Sequence, residues 1–199
     1  MKILLASHNK NKIAELQALM NTVSGDVEVV SMSDIGYLDE IVEDGTTFEE
    51  NALIKSRTGA KLGYVTVADD SGLMVDALGG APGVYSARYA GDGCSYEDNN
   101  QKLLAELKNV PQEQRTAKFV SVVTCSFPDG RDDIVVRGEC CGTILNEYHG
   151  NGGFGYDPLF WYEPLSKSFA EMTSDEKNAI SHRGQAMAKF AKEFAKIKF

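Results

Sequence analysis

Two β-rich runs, residues 119–127 and 134–141, flank the tetrapeptide Pro128-Asp129-Gly130-Arg131. Proline, aspartate and glycine together favour a tight reverse turn, so the two runs are expected to pair antiparallel. The opening of the chain asks for something else. Residues 2–6 are a short apolar run that reads as a buried strand. Ser7-His8-Asn9-Lys10-Asn11-Lys12 follows as a polar turn, and Ile13, Leu16, Leu19 and Met20 then recur at helical spacing. A second strand is predicted over 27–32. Strands alternate with helices first, then pair antiparallel, and a helix closes the chain. That order implies an α/β fold with a mixed β-sheet and flanking helices rather than a purely parallel sheet.

The remaining elements fit this frame. Thr47 followed three residues later by Glu50 predicts a capping box, opening a helix to about residue 62 that ends near Gly63. Residues 64–68 predict a strand that stops at Asp69-Asp70-Ser71-Gly72. The Gly- and Pro-rich stretch 79–93 reads as a long ordered loop or a short irregular element. Ser95 can cap a helix to about residue 108, with Leu103, Leu104 and Leu107 on its apolar face. A strand is expected over 159–162. A last helix is expected over about 184–196, with Met187, Phe190, Ala191 and Phe194 turned inward. No shift of composition marks a linker, so residues 1–199 read as a single domain.

Charge and cysteine usage exclude several functions. Lys and Arg number 20 against 29 Asp and Glu, a net charge of −9, which argues against nucleic acid or an anionic membrane as partner. An anionic substrate would need a local basic island. No apolar run approaches the ~18 residues of a membrane span. Cys94, Cys125, Cys140 and Cys141 form no C-x-x-C pair, and His8, His149 and His182 are scattered, which disfavours structural zinc. The N-terminus is too short in apolar residues for a signal peptide, so reduced thiols in a cytoplasm are expected. No G-x-G-x-x-G follows the first strand, which excludes a nicotinamide-binding oxidoreductase.

Four segments carry possible chemistry. The turn at residues 7–12 leads into a helix N-terminus, where free N–H groups and the helix dipole suit phosphate; Ser7, Asn9 and Lys12 add donors and charge. Taken alone it matches a solvated helix start, and it lacks the P-loop pattern. Glu43, Asp44, Asp69 and Asp70 supply the oxygen ligands that Mg²⁺ prefers. Successive strand residues point to opposite faces, so Asp69 and Asp70 cannot share a site unless the strand has broken into a turn. Gly152-Gly153-Phe154-Gly155-Tyr156-Asp157-Pro158 allows Phe154 to stack on a base and Asp157 to accept from a base N–H; the glycines alone equally fit a turn before a strand. Ser181 fits an N-cap, which puts His182 and Arg183 in a first helical turn against the dipole, where they can meet an anion or a carbonyl.

Taken in order, these segments resemble one family. They are Ser-His-Asn-Lys-x-Lys after the first strand, Asp-Asp-Ser-Gly-Leu-x-Val-Asp-Ala-Leu-Gly-Gly-Ala-Pro-Gly-Val-Tyr-Ser-Ala-Arg-Tyr-Ala-Gly, Gly-Gly-Phe-Gly-Tyr-Asp-Pro-Leu-Phe, and Ser-Phe-Ala-Glu-Met-x-x-x-Glu-Lys-Asn-x-Ile-Ser-His-Arg-Gly-x-Ala. The chain closely resembles the inosine triphosphate pyrophosphatases from Ile3 to the final helix. The resemblance implies an elongated mixed sheet with two lobes around a central cleft, and a homodimer. It implies Mg²⁺-dependent hydrolysis of dITP, ITP and XTP to the monophosphate and pyrophosphate. Carried over by motif, Ser7, His8, Asn9, Lys10, Asn11 and Lys12 would hold the triphosphate; on charge grounds Lys12, Lys177 and Lys55 would offset its negative charge. Asp70 would be the catalytic carboxylate and, with Glu43, a metal ligand, and Ser71 would touch substrate. Phe154, Gly155, Tyr156, Asp157, Lys177, His182 and Arg183 would form the nucleoside pocket. Many relatives carry Gly where Asn11 stands; Asn also tolerates positive φ, so the turn can survive. Two alternatives remain at this stage. Maf-like nucleotide pyrophosphatases usually open with Leu-Ala-Ser-x-Ser-Pro-Arg-Arg, which this chain lacks. A non-catalytic nucleotide sensor would not need a pair of metal carboxylates.

Overall fold

A computed structural model describes residues 1–7, 9–23 and 26–198, the side chains of Lys10 and Asn11 excepted. The strands are β1 (Lys2–Leu5), β2 (Glu28–Ser31), β3 (Val65–Val75), β4 (Thr116–Ser126), β5 (Ile134–Ile144), β6 (Phe160–Tyr162) and β7 (Lys167–Ser168). The helices are α1 (Lys10–Val23), α2 (Phe48–Lys61), α3 (Tyr96–Leu107), α4 (Ser174–Ile180) and α5 (His182–Phe194). The sheet has the order β2-β1-β3-β4-β5-β6-β7. β1 pairs parallel with β2 and β3, whereas β6 pairs antiparallel with β5 and β7, so the sheet is mixed as expected. Pro128-Asp129-Gly130-Arg131 does form a turn, closed by the Gly130 N–H donating to the Phe127 carbonyl at 3.3 Å.

The chain divides into two compact units. The first comprises Met1–Asp70, Ser121–Gly138 and Ala186–Phe199, the second Ser71–Val120 and Glu139–Gln185. In the first unit the two faces of the sheet are legible from strand parity. Ile3, Leu5 and Val67 pack with Leu16 and Met20 of α1 and Phe190 of α5. Leu4 and Ala68, one residue out of phase, belong to a separate cluster with Val30 and Met32. α2 lies over that second face, because its Gly59 abuts Leu4 and Thr66. The second unit has its own core, built on Leu73, Leu103, Leu107, Phe119, Phe160 and Phe169.

Two sequence expectations need correction. β3 does not stop at Asp69; it runs unbroken through Asp69-Asp70-Ser71-Gly72 to Val75. The turn propensity of those four residues is overridden by tertiary pairing within the sheet. The last helix begins at His182, where the Ser181 N-cap places it and two residues before the apolar pattern does, and a separate α4 precedes it. α4 has its own capping box, Thr173 with Glu176 three residues on, a signal that was legible in the sequence. The expected capping box at Thr47/Glu50 is formed, and the expected N-cap Ser95 forms one as well, with Asp98. Among the described residues no helix is long and apolar enough to cross a membrane.

Candidate functional site

In the first unit the turn after β1 is organised by its own side chains. The Asn9 N–H donates to Ser7 Oγ at 3.1 Å, and Asn9 Oδ1 accepts from the Lys12 N–H at 3.4 Å. Asn9 therefore caps α1, satisfying one of the four N–H groups a helix start leaves unpaired. No acidic residue occupies the first turn of α1, so its positive dipole end is not neutralised from within the helix. His8 and the side chains of Lys10 and Asn11, also expected at this site, lie outside the described residues.

Because β3 stays extended, Asp69 and Asp70 point to opposite faces. Asp69 receives Lys12 Nζ on both oxygens, at 2.9 and 2.7 Å. Asp70 instead meets Lys55 of α2 at 3.6 Å, and the same ammonium donates to Glu43 at 2.9 Å. The Lys55 and Asp70 side chains keep only 12% and 15% of their exposure. Two carboxylates distant in sequence thus converge on one largely desolvated cation. The segment bearing Glu43 is fastened to the start of α2. Buried Asn51 accepts from the Gly45 N–H at 2.9 Å, and Glu50 accepts from the Thr46 N–H at 2.6 Å. Those bonds hold the Glu50 carboxyl below its usual range, the Thr46 backbone contributing most. Asn51 was not singled out from sequence; an Asn one residue beyond a capping-box Glu was its only signal. Hard carboxylate oxygens are what Mg²⁺ takes, one or two at a time with phosphate and water completing its shell. Glu43 and Asp70 fit that donor set.

The second unit gathers the other expected residues. Ser71 is its first residue, next to Asp70 on β3. The 152–157 loop is built around Asp157, buried, whose Oδ2 accepts from the Phe154 N–H at 2.8 Å and from Lys177 Nζ at 2.5 Å. A Cβ on Gly153 would lie 2.2 Å from that oxygen, so glycine is required there. Asp157 thus anchors the loop from within. Lys177 also lies over the Phe154 ring, 4.9 Å from its centroid. Phe154 as a residue is 65% exposed, beneath that cation and on an ordered loop. Tyr156 is a core residue: its hydroxyl donates to the Ser86 carbonyl at 2.8 Å, and burial pushes its phenol up from the ordinary range. Ser181 caps α5 by accepting from the Gly184 N–H at 3.1 Å, which sets His182 and Arg183 in the first turn as predicted. His182 stacks on Phe119, ring centroids 4.9 Å apart. Gly184 allows α5 to start beside α4, since a Cβ there would lie 2.0 Å from the Asn178 carbonyl oxygen.

The chain is 50% identical over 198 residues to a dITP/XTP pyrophosphatase of Leuconostoc mesenteroides subsp. mesenteroides, covering 97% of this chain and 96% of that one. It is 49% identical over 193 residues to a dITP/XTP pyrophosphatase of Lactobacillus acidophilus, covering 96% of each. The structure of the Staphylococcus aureus Ham1 protein matches with a TM-score of 0.92 and 40% identity, over 100% of both chains. The family model described as the Ham1 family matches residues 3–193, and the chain belongs to that family.

Proposed function

We propose that this chain hydrolyses the non-standard purine nucleotides dITP, ITP and XTP to the monophosphate and pyrophosphate, removing them from the nucleotide pool. The observation that carries the chemistry is the convergence of Glu43 and Asp70 on Lys55. Relatives named dITP/XTP pyrophosphatases over nearly their whole length support the substrate class.

Release of pyrophosphate requires water to attack the α-phosphorus: a new P–O bond forms and the α–β bridging bond breaks. Little covalent chemistry is asked of the protein, so its task is positioning and charge stabilisation. Asp70 would orient the water and accept its proton. Glu43 and Asp70 would hold Mg²⁺, which when bound neutralises phosphate charge. A cation is needed on electrostatic grounds: Lys12 and Lys55 bring two positive charges, while Asp69, Asp70 and Glu43 bring three negative ones. That set alone does not attract a triphosphate of about −4. Ser7, Asn9 and the start of α1 would supply N–H and hydroxyl donors to phosphate, and Ser71 would touch substrate.

In the second unit Phe154 would stack on the purine, with Lys177 and the 154–157 loop framing it. Inosine and xanthine carry a 6-keto oxygen where adenine carries an amino group. Arg183 or His182 donating to that oxygen would lose its partner against adenine, and a site of that kind discriminates by ~10⁴ or more. The proposal extends to one catalytic domain over residues 1–199, homodimeric and cytoplasmic, with no nucleic-acid or membrane partner. Sedimentation velocity tests the dimer.

The decisive experiment is product analysis with Mg²⁺ and dITP, beside dATP and dGTP. dIMP and pyrophosphate from dITP alone is the expected result; free phosphate would move the point of attack and overturn the mechanism. Asp70→Asn should abolish turnover with the fold intact, and near-normal turnover would remove Asp70 from its role.

A further inference from the structure

α3 carries two adjacent asparagines that the function above does not use, Asn99 and Asn100, both buried. Asparagine is a poor helix former, and amphipathic packing would be served better by Leu or Ala at these positions. Each side chain makes long-range bonds. Asn99 accepts from the Ala90 N–H at 2.7 Å and donates to the Ala87 carbonyl at 3.2 Å, fastening the 83–94 segment. Asn100 donates from Nδ2 to the Gly155 carbonyl at 3.0 Å. Its Oδ1 is buried with no hydrogen-bond partner among the described residues. An amide with half its polarity unsatisfied at 3% exposure is a net burden on stability, so the bond it does make demands another explanation.

That bond falls at a sensitive place. Gly155 has φ +59°, and no atom lies within 4 Å of where its Cβ would be. Glycine is therefore needed there for backbone conformation and not for space. The left-handed turn aims its carbonyl at α3. Gly155 directly follows Phe154, whose own N–H is held by Asp157. The Phe154 peptide is thus pinned on its N-terminal side by Asp157 and on its C-terminal side by Asn100, while its ring stays exposed.

We propose that Asn100 is a positioning residue for base recognition, acting through Gly155 to fix the direction of the Phe154 ring. The proposal rests on the reading of Phe154 as the stacking platform for the purine. Asn100→Asp keeps the shape and removes the donor; Asn100→Leu removes both polar atoms and is the variant to use if the aspartate fails to fold. Steady-state kinetics with dITP should show KM raised about 2- to 10-fold, the worth of one neutral hydrogen bond, with kcat within about twofold. Inhibition by tripolyphosphate, a competitor with no base, should be unchanged. Leu104→Ala, on the same helix, controls for stability: it should lower Tm and leave KM alone. Phe154→Ala separates the two readings. If it raises KM while both Asn100 variants keep the wild-type value, the positioning role is overturned and the base pocket stands. If Phe154→Ala itself leaves KM unchanged, the base-pocket reading fails and this proposal with it. An equal loss of tripolyphosphate inhibition would also overturn it, since the effect would then be general.

Discussion

Gly59→Ala should destabilise this protein, although Ala is the better helix former. At an exposed helix position the exchange gains up to about 1 kcal/mol. Here the new Cβ would lie 2.4 Å from Thr66 Oγ1, 2.6 Å from Thr66 Cγ2 and 2.7 Å from Leu4 Cδ2. Thr66 and Leu4 are fully buried, and a β-branched threonine has little rotamer freedom with which to retreat. Overpacking of that kind costs about 1–3 kcal/mol, and three simultaneous clashes place it at the upper end, leaving a net loss of about 1–2 kcal/mol. α2 relieves the clash by lifting from the sheet. Lys55 lies one turn earlier on α2, so its contacts with Glu43 at 2.9 Å and Asp70 at 3.6 Å are disturbed and dITP hydrolysis falls as well. Urea unfolding and kcat/KM are the assays. Thr66→Ala removes both clashing threonine atoms, so the double variant should recover more than the sum of the singles, with a coupling of about 0.5–3 kcal/mol. A Gly59→Ala protein stabilised by about 1 kcal/mol with unchanged kcat/KM would refute the reasoning, because α2 would then have room the packing denies it.

Arg115 is 4% exposed and donates to the carbonyls of Val110 at 3.0 Å and Leu107 at 2.7 Å, closing the end of α3; Arg115→Leu should cost about 3 kcal/mol in urea unfolding. Ser95 side-chain and backbone bonds lower the Asp98 carboxyl, and the Thr46 and Ser168 backbones do most to lower Glu50 and Glu171. Their folded values lie below the ordinary 3.8 and 4.5, so their stabilisation is present above those values and is lost as pH falls through the folded ones; replacing the three with amides should lower stability at pH 7 and flatten its acid decline, read by thermal melts from pH 7 to 3. Lys55→Met leaves Glu43 and Asp70 without their shared ammonium, so Mg²⁺ alone should raise the Tm of this variant more than that of the wild type; an equal shift in both would speak against a metal on these carboxylates.

The mixed sheet was legible because its two demands are local: a turn tetrapeptide between two β-rich runs, and a strand leading into a helix. The capping box at Thr47 and the N-cap at Ser95 were legible for the same reason, since each cap lies beside the helix start it closes. What failed was long-range. Asp69-Asp70-Ser71-Gly72 has the composition of a turn, yet sheet pairing holds it extended, and only that extension sends Asp69 to Lys12 and Asp70 to Lys55. Asp157 was readable as a base acceptor, but its Oδ2 is engaged by the Phe154 N–H and Lys177, a pairing across 20 residues that no local pattern announces. Tyr156 carried the same motif signal as Phe154, and burial alone separates them: one belongs to the core, the other faces outward. The Asn99-Asn100 pair was not legible, because polar residues in a helix are ordinarily solvated and these two are buried.

On the proposed function, pairing would also explain how an acidic chain acts on a highly anionic substrate without binding every nucleotide. Lys12, Lys55 and Lys177 each meet at least one carboxylate. A free lysine carries about 2 kcal/mol of rotamer entropy, much of which is lost when it is fixed on a ligand. Salt bridges to Asp69, Glu43 and Asp157 order these side chains in advance, so less is lost on binding. The same bridges cancel their charge, which weakens attraction to phosphate. That weakness suits the proposed task. Every standard nucleoside triphosphate carries the same phosphate chain as dITP, and attraction to it is binding that does not discriminate. With phosphate affinity held down, the proposed contacts around Phe154, His182 and Arg183 would decide which nucleotide stays; a mispaired 6-amino group rejects adenine, whereas guanine shares the 6-keto oxygen and must be turned away by a separate contact to its 2-amino group.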